Sequence, residues 1–258
     1  MKKIKEGNEF DALTIGILFT IIFYSLLWII FNLGLEMPDH RIYILLGGQW
    51  PYGIIQFITF LSYFWAMIIL GSKLRVIIWE KNALLLDLLP QDENRVLLPD
   101  QINELRYTLS ERIEWKDSIF IKTLSRACTK FRANKSIQET MDVIKIQTEM
   151  DLNFLESSFG IIKYLAWSIP SIGFIGTVIG ISGALAKADE AAAGDISAVT
   201  IILGTAFDTT LISLILSILL MFQVHRVQQK EELLIFKIQN HIIENFINKI
   251  YIPREERA

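Results

Sequence analysis

The apolar residues of this 258-residue chain are gathered in four long blocks, at positions 12–35, 42–72, 164–186 and 196–224. Each block exceeds the roughly 20 helical residues that cross a hydrocarbon core about 30 Å thick. The second block is longer than one crossing needs, so its membrane part is predicted to begin near Pro51. The pattern predicts an all-α integral membrane protein with four transmembrane helices.

The polar stretches beside these blocks have helical periodicity. The insert between the second and third blocks is interrupted at Pro90 and Pro99, and its apolar residues then recur every three or four positions, as they do in the C-terminal tail. The recurring positions are Ile102, Leu105, Leu109 and Ile113, then Ile137, Met141, Ile144, Thr148, Leu152 and Leu155, and in the tail Ile235, Ile238, Ile242 and Phe246. Because no proline precedes Pro170 on the way into the third block, the two inner helices are expected to continue out of the membrane as stalks.

This pattern divides the chain into four parts. Residues 1–72 hold a short N-terminal segment and the first two spans, and residues 73–163 form the helical insert. Residues 164–224 form the two inner spans, and residues 225–258 form a helical tail.

The distribution of lysines and arginines predicts on which side of the membrane each part lies. Of the lysines and arginines, three precede Asp11, fourteen lie in the insert and six follow His225, whereas the two predicted outer loops hold one each, Arg41 and Lys187. The positive-inside rule therefore places both termini, the insert and the tail in the cytoplasm. The outer loops are too short to fold as domains, so work outside the membrane would need a partner.

Composition narrows the chemistry further. The chain is 52% hydrophobic and has a single cysteine, Cys128, so an intramolecular disulfide is excluded. The three histidines, at 40, 225 and 241, have no metal-ligand spacing. With no Walker motif, catalytic triad or zinc pattern, we expect no enzyme activity, no cofactor and no direct contact with nucleic acid.

The candidate site lies on small and polar residues of the two inner spans. In the third span, Gly173, Thr177, Gly180 and Ala184 follow steps of four, three and four, and Gly176 with Gly180 forms a GxxxG motif. In the fourth span the same steps connect Ala206, Thr210, Ser213 and Ser217. These faces are candidates for an ion pathway, and the alternative is a packing seam whose hydroxyls bond to backbone carbonyls.

The depths of the two threonines favour the pathway. Thr177 lies thirteen residues after the cytoplasmic start of its span at Tyr164, and Thr210 lies twelve residues before Phe222 at the cytoplasmic end of the next. At about 1.5 Å per residue the two hydroxyls reach nearly the same level. We expect them side by side near the middle of the membrane.

Asp208 is the only carboxylate between Asp195 and Arg226. Burying an ionisable group in a span is costly, so a function is expected. It lies two residues from Thr210, about 200° around the helix, and therefore cannot face the same way. Two roles stay open, a polar contact between neighbouring subunits and a relay group on the ion path. Without a cation beside it, burial would raise its pKa.

The segments "IPSIGFIGTVIGI" and, about thirty residues later, "GTAFDTTLISLILS" resemble the pore helices of the MotA/TolQ/ExbB proton-channel family. Two spans before the insert are similar to the flagellar stator arrangement, whereas the glycine-threonine motif is closer to TolQ and ExbB. By this resemblance Thr177 and Thr210 match the pore threonines, Pro170 matches the proline before the glycine segment, and Gly176 has a structural role in the pore helix.

The resemblance implies a bacterial inner-membrane protein that forms a ring, generally of five copies, surrounded by membrane lipid. The ring would enclose two copies of a single-span partner of the MotB/TolR/ExbD kind, whose membrane aspartate takes up and releases protons. The favoured function is an ion-conducting subunit of a membrane motor, for H+ or alternatively Na+. The competing hypothesis is a non-conducting membrane scaffold that recruits cytoplasmic proteins through the insert. A small-solute transporter is disfavoured because the sequence shows no inverted repeat.

Overall fold

The computed structural model describes residues 9–35, 40–48, 53–92, 95–193 and 196–251, and every named element in them is helical. A π-helical segment, Ile29–Gly34, follows the first helix, and 3-10 segments lie at Ile113–Trp115 and Ile247–Lys249. The α-helices are α1 (Glu9–Trp28), α2 (Arg41–Leu45), α3 (Ile54–Leu84), α4 (Pro99–Glu111), α5 (Ile119–Asn134), α6 (Ile137–Ser158), α7 (Gly160–Leu185), α8 (Ala188–Ala192) and α9 (Ser197–Asn245). The all-helical fold is confirmed.

Four helical stretches are long and apolar enough to cross a membrane, which confirms the number of spans. They are Phe10–Gly34, Ile54–Leu84, Ile137–Leu185 and Ser197–Lys249. The prediction that the helix of the fourth span continues well beyond its apolar block is confirmed, since α9 is a single helix of 49 residues. In the stretch Ile137–Leu185, a single turn residue, Phe159, separates α6 from α7.

The second apolar block, from position 42, is longer than one crossing needs, and its membrane part was expected to begin near Pro51. Residues 41–45 form the separate helix α2, and the spanning helix α3 begins only at Ile54. Gly47 follows α2 with φ +84°, a left-handed conformation that favours glycine, and a Cβ there would lie 2.7 Å from Gln56 Cβ. Pro51, the expected start of the crossing, and the N-terminal lysines lie outside the described residues.

The chain forms two compact units. Among the described residues, one unit combines Lys73–Phe159 with residues 227–251, and the other combines residues 9–72 with Gly160–Arg226.

In the first unit, α5 supplies the centre of the core. Phe120, Leu124, Cys128 and Phe131 are fully or almost fully buried. The first turn of α5 has no cap from its own N-cap residue, Ser118. Instead, the buried carboxylate of Glu80 accepts hydrogen bonds from the Ile119 N–H, at 3.0 Å, and from the Ser118 hydroxyl, at 2.8 Å. A carboxylate at this position satisfies free N–H groups and complements the helix dipole.

The predicted apolar stripes of the first unit are mostly confirmed. Ile102, Ile144 and Leu155 are buried, and so are all four stripe residues of the tail, Ile235, Ile238, Ile242 and Phe246. The periodicity placed Ile113 on the apolar face of this helix, and this is wrong. Helix α4 ends at Glu111, and the Ile113 side chain is 80% exposed. Ile137 and Leu152 are also exposed.

In the second unit, the segment between the first two spans folds back onto α1. The Tyr24 hydroxyl, on α1, donates to the Leu46 carbonyl at 3.0 Å. Asn32 Nδ2 donates to the Tyr43 hydroxyl at 3.3 Å, and the Tyr43 ring packs against Phe31 with centroids 5.4 Å apart. The described part of this segment, residues 40–48, is therefore an ordered part of the helical unit.

Candidate ion pathway between α7 and α9

Glycines allow α7 and α9 to pack at close range. A Cβ at Gly173 would overlap the Ser213 side chain, and a Cβ at Gly180 would overlap Ala206 Cβ. At Gly176 it would lie 2.5 Å from Thr209 Oγ1. Such contacts exclude any side chain at these positions, so the small-residue faces of the two helices form a close-packed seam.

The two threonine hydroxyls predicted to lie side by side are in direct contact. Thr177 Oγ1 and Thr210 Oγ1 share a hydrogen bond, and Thr210 Oγ1 also lies 3.0 Å from the Gly173 carbonyl oxygen. The Ala206 carbonyl oxygen is 3.1 Å from Thr177 Oγ1. Each hydroxyl has one proton to donate, so these contacts are alternative hydrogen bonds between which the protons can be redistributed.

Gly173 contributes a carbonyl on which several hydroxyls converge. Besides Thr210, Thr209 Oγ1 approaches this oxygen at 3.2 Å and the Ala206 carbonyl oxygen at 2.7 Å. Thr209 is 3% exposed, whereas Thr177 and Thr210 are partly exposed. The seam thus has one buried threonine inside it and two that reach its surface.

Ser217 has a role that sequence reasoning missed. Pro170 lacks an N–H, so the carbonyl of Ala166, four residues earlier in α7, loses its usual helical donor. The Ser217 hydroxyl donates to this carbonyl at 2.9 Å. A hydroxyl on α9 thereby satisfies a backbone acceptor that the proline on α7 leaves open.

The structure divides the residues proposed for the pathway into two groups. Thr177, Gly180, Thr210 and Ser217 are partly exposed in the chain. Gly173, Gly176, Ala206 and Ser213 are buried in the seam, and the Ser213 hydroxyl donates to the Thr210 carbonyl at 2.9 Å. Gly173, Ala206 and Ser213 are covered by α7 and α9 of the same chain, and their assignment to the pathway stays a prediction. The structural assignment of Gly176 agrees with its burial.

Asp208 lies beside the seam residues in sequence but has a different partner. Its side chain is 2% exposed, and both carboxylate oxygens accept hydrogen bonds from the Arg41 guanidinium. The Nη2–Oδ1 distance is 2.5 Å. The expected case of a buried acid without a cation does not apply, because Arg41 supplies the cation. Neither role expected for Asp208 included a partner in its own chain, although Arg41 is the only lysine or arginine of the predicted first outer loop.

These features describe an all-helical, multi-pass membrane protein with a hydroxyl-bearing seam between its inner spans. A sequence profile of the MotA/TolQ/ExbB proton channel family matches residues 112–240, half of the chain. The chain belongs to this family, which is a family of proton channels and not of enzymes. The match covers α5 to α8 and most of α9, and it includes the whole seam. No curated protein and no solved structure matches the chain.

Proposed function

We propose that the chain is the ion-conducting subunit of a membrane motor complex, with H+ as the transported ion and Na+ as the alternative. The observation that carries this proposal is the contact between the partly exposed hydroxyls of Thr177 and Thr210, near the middle of the apolar blocks 164–186 and 196–224. Hydroxyls can donate to and accept from water, a moving proton or a partner carboxylate. They carry no fixed charge that would trap an ion.

The proposed pathway requires several copies of the chain. One chain supplies only α7 and α9 to the site, and two helices cannot shield Thr177, Thr210 and Ser217 from lipid on all sides. We therefore propose a ring with these side chains turned to its centre, and a pentamer by resemblance to the family. Large apolar side chains on the outside of the spans, such as Phe174 and Ile218, are exposed in the single chain and suit contact with lipid or another copy.

The ring would surround two copies of a single-span partner with an aspartate in its membrane helix. Two partner helices cannot make equal contacts with five subunits, so each protonation or release of the aspartate would favour movement to the next position. Each charge that crosses supplies about 2.3 kcal/mol per 100 mV of membrane potential. In this arrangement the complex lies in a bacterial inner membrane, with both termini, the insert and the tail in the cytoplasm.

A non-conducting scaffold is the alternative function. It is favoured by one observation, the complete burial of Ser213 and Ala206 in the seam, since tight packing alone could explain the small residues. The scaffold does not explain why Thr177 and Thr210 keep partly exposed side chains at matching depths.

The complex extracted from its native membranes tests the proposal. Native mass spectrometry is expected to show five copies of the chain with two copies of a smaller single-span protein. After reconstitution into vesicles, a membrane potential should drive proton entry, measured with a trapped pH dye, and parallel Na+ measurements would identify the other ion. A monomer or dimer would contradict the ring, and a ring that conducts neither ion would favour the scaffold.

A further inference from the structure

We propose that the Arg41–Asp208 ion pair is a positioning clamp that fixes the outer segment 40–48 to α9 and thereby holds the Thr209 and Thr210 hydroxyls against α7. Asp208 is then a positioning residue and not a relay on the ion path. This inference rests on the proposed conducting function for its effect on flux. Its structural part stands independently of conduction.

The geometry of the pair leaves Asp208 no free oxygen for a relay. Nη1 of Arg41 donates to one carboxylate oxygen and Nη2 to the other, the two-pronged arrangement that suits arginine and carboxylate. Asp208 is almost fully buried, whereas the Arg41 side chain is 65% exposed. A guanidinium keeps its proton at any physiological pH, so the buried carboxylate has a permanent counter-charge.

The clamp joins α9 to a segment that is fixed at its other end. Residues 40–48 are attached to α1 through the Tyr24–Leu46 hydrogen bond and to the π-helical segment that follows α1 through the Asn32–Tyr43 hydrogen bond. The ion pair bridges 167 positions of sequence and connects this segment to the fourth span. Movement of α9 along or about its axis would therefore have to break the pair or pull the segment away from α1.

The position of Asp208 on α9 links the clamp to the seam. Thr209 and Thr210 follow it directly, and both hydroxyls reach the Gly173 carbonyl on α7. Because neighbouring residues of a helix are held in fixed relation to one another, a rotation of α9 at Asp208 carries Thr210 with it and would separate Thr210 from Thr177. The pair consequently controls the contact on which the proposed pathway depends.

Three variants test the clamp: Arg41→Gln, Asp208→Asn and the two combined. Arg41→Gln leaves a buried carboxylate without its cation, so it should be the most damaging, with proton flux per assembled complex reduced at least tenfold. The combined variant replaces the ion pair with two neutral amides and leaves no unpaired buried charge, so it should recover at least a third of the wild-type flux, with an unchanged dependence on pH. Lys187→Gln, which removes the cation of the other outer loop, is the control for loss of charge and should leave flux unchanged.

A second measurement reports on position without requiring conduction. With Thr177→Cys and Thr210→Cys in one chain, oxidation should rapidly form a disulfide between these positions, detected by peptide mass spectrometry. Adding Arg41→Gln should slow this reaction at least fivefold, and adding Asp208→Asn as well should restore it.

The outcomes separate the hypotheses. A combined variant that forms the disulfide at the normal rate but carries no flux would make Asp208 a relay and overturn the clamp. Normal flux and normal disulfide formation in Arg41→Gln would overturn it equally. If the wild-type complex carries no flux, the proposed function fails, while the disulfide rates still decide whether the clamp exists.

Discussion

At the scale of single residues, the candidate site consists of hydroxyls that satisfy backbone carbonyls across a helix seam. Thr209 and Thr210 reach the Gly173 carbonyl, and Ser217 donates to the Ala166 carbonyl. Sequence spacing was sufficient to predict the contact between Thr177 and Thr210, because depth in the membrane follows from counting residues. It could not predict which residues of the same stripe would be buried, since Ser213 and Ser217 differ only in what α7 presents to them.

The bond between Ser217 and Ala166 gives a prediction about Pro170. Ser217→Ala should lower the free energy of unfolding by roughly 1–3 kcal/mol, because a buried carbonyl loses its donor. In a Pro170→Ala background the Ala166 carbonyl regains a backbone donor, so Ser217→Ala should cost less than half as much there. Thermal unfolding of the four proteins in detergent measures this coupling. Equal costs in both backgrounds would show that Ser217 does not act through the carbonyl left open by proline.

The reactivity of the single residue Cys128 tests how tightly the core of the first unit is packed. Burial raises the pKa of its thiol from 9.0 to about 12. The thiolate reacts with alkylating reagents, and at pH 8 three pKa units reduce its population about 1,000-fold. We predict that iodoacetamide labels Cys128 in the folded protein at least a hundredfold more slowly than in the unfolded protein. Labelling at the unfolded rate without denaturant would contradict the packed arrangement of α5.

At the scale of elements, much of the helical arrangement follows from the sequence. The number of spans, the break between α3 and α4 and the tail stripe of α9 were predicted correctly, because apolar length and periodicity determine them. Sequence spacing did not predict the features that depend on contacts between distant parts of the chain. The short helix α2 and the turn with positive φ at Gly47 were not expected from the sequence, and the partner of Asp208 is 167 residues away, a distance at which no periodicity carries information.

The close approach of α7 and α9 predicts opposite effects for two glycine substitutions. Gly180→Ala should cost roughly 1–3 kcal/mol of stability, because the added methyl overlaps Ala206 and forces the helices apart. Gly204→Ala is the matched control, since no heavy atom lies within 4 Å of the added methyl. It should be neutral or stabilise α9 by up to about 1 kcal/mol. Unfolding midpoints of the two variants provide the comparison, and equal midpoints would contradict the seam.

At the scale of the whole molecule, the chain combines four apolar helical stretches with a large polar portion. The family match begins at residue 112 and ends at residue 240, so it includes most of the insert helices as well as both inner spans. The first two spans lie outside the match, yet Arg41 between them contacts Asp208 of α9. The part of the chain outside the family match thus contacts the part inside it, and we expect substitutions there to alter the proposed conduction through the position of α9.

The proposed conducting function depends most on the Thr177 and Thr210 hydroxyls being part of the ion path. Thr→Val at either position keeps the shape of the side chain and removes the hydroxyl, and Thr205→Val is the matched control because the Thr205 hydroxyl donates to Ile201 in its own helix. Voltage-driven proton flux into vesicles containing equal amounts of assembled complex is the measurement. We predict at least a tenfold loss of flux in Thr177→Val and Thr210→Val and near-normal flux in Thr205→Val. Normal flux in both Thr177→Val and Thr210→Val would contradict the account.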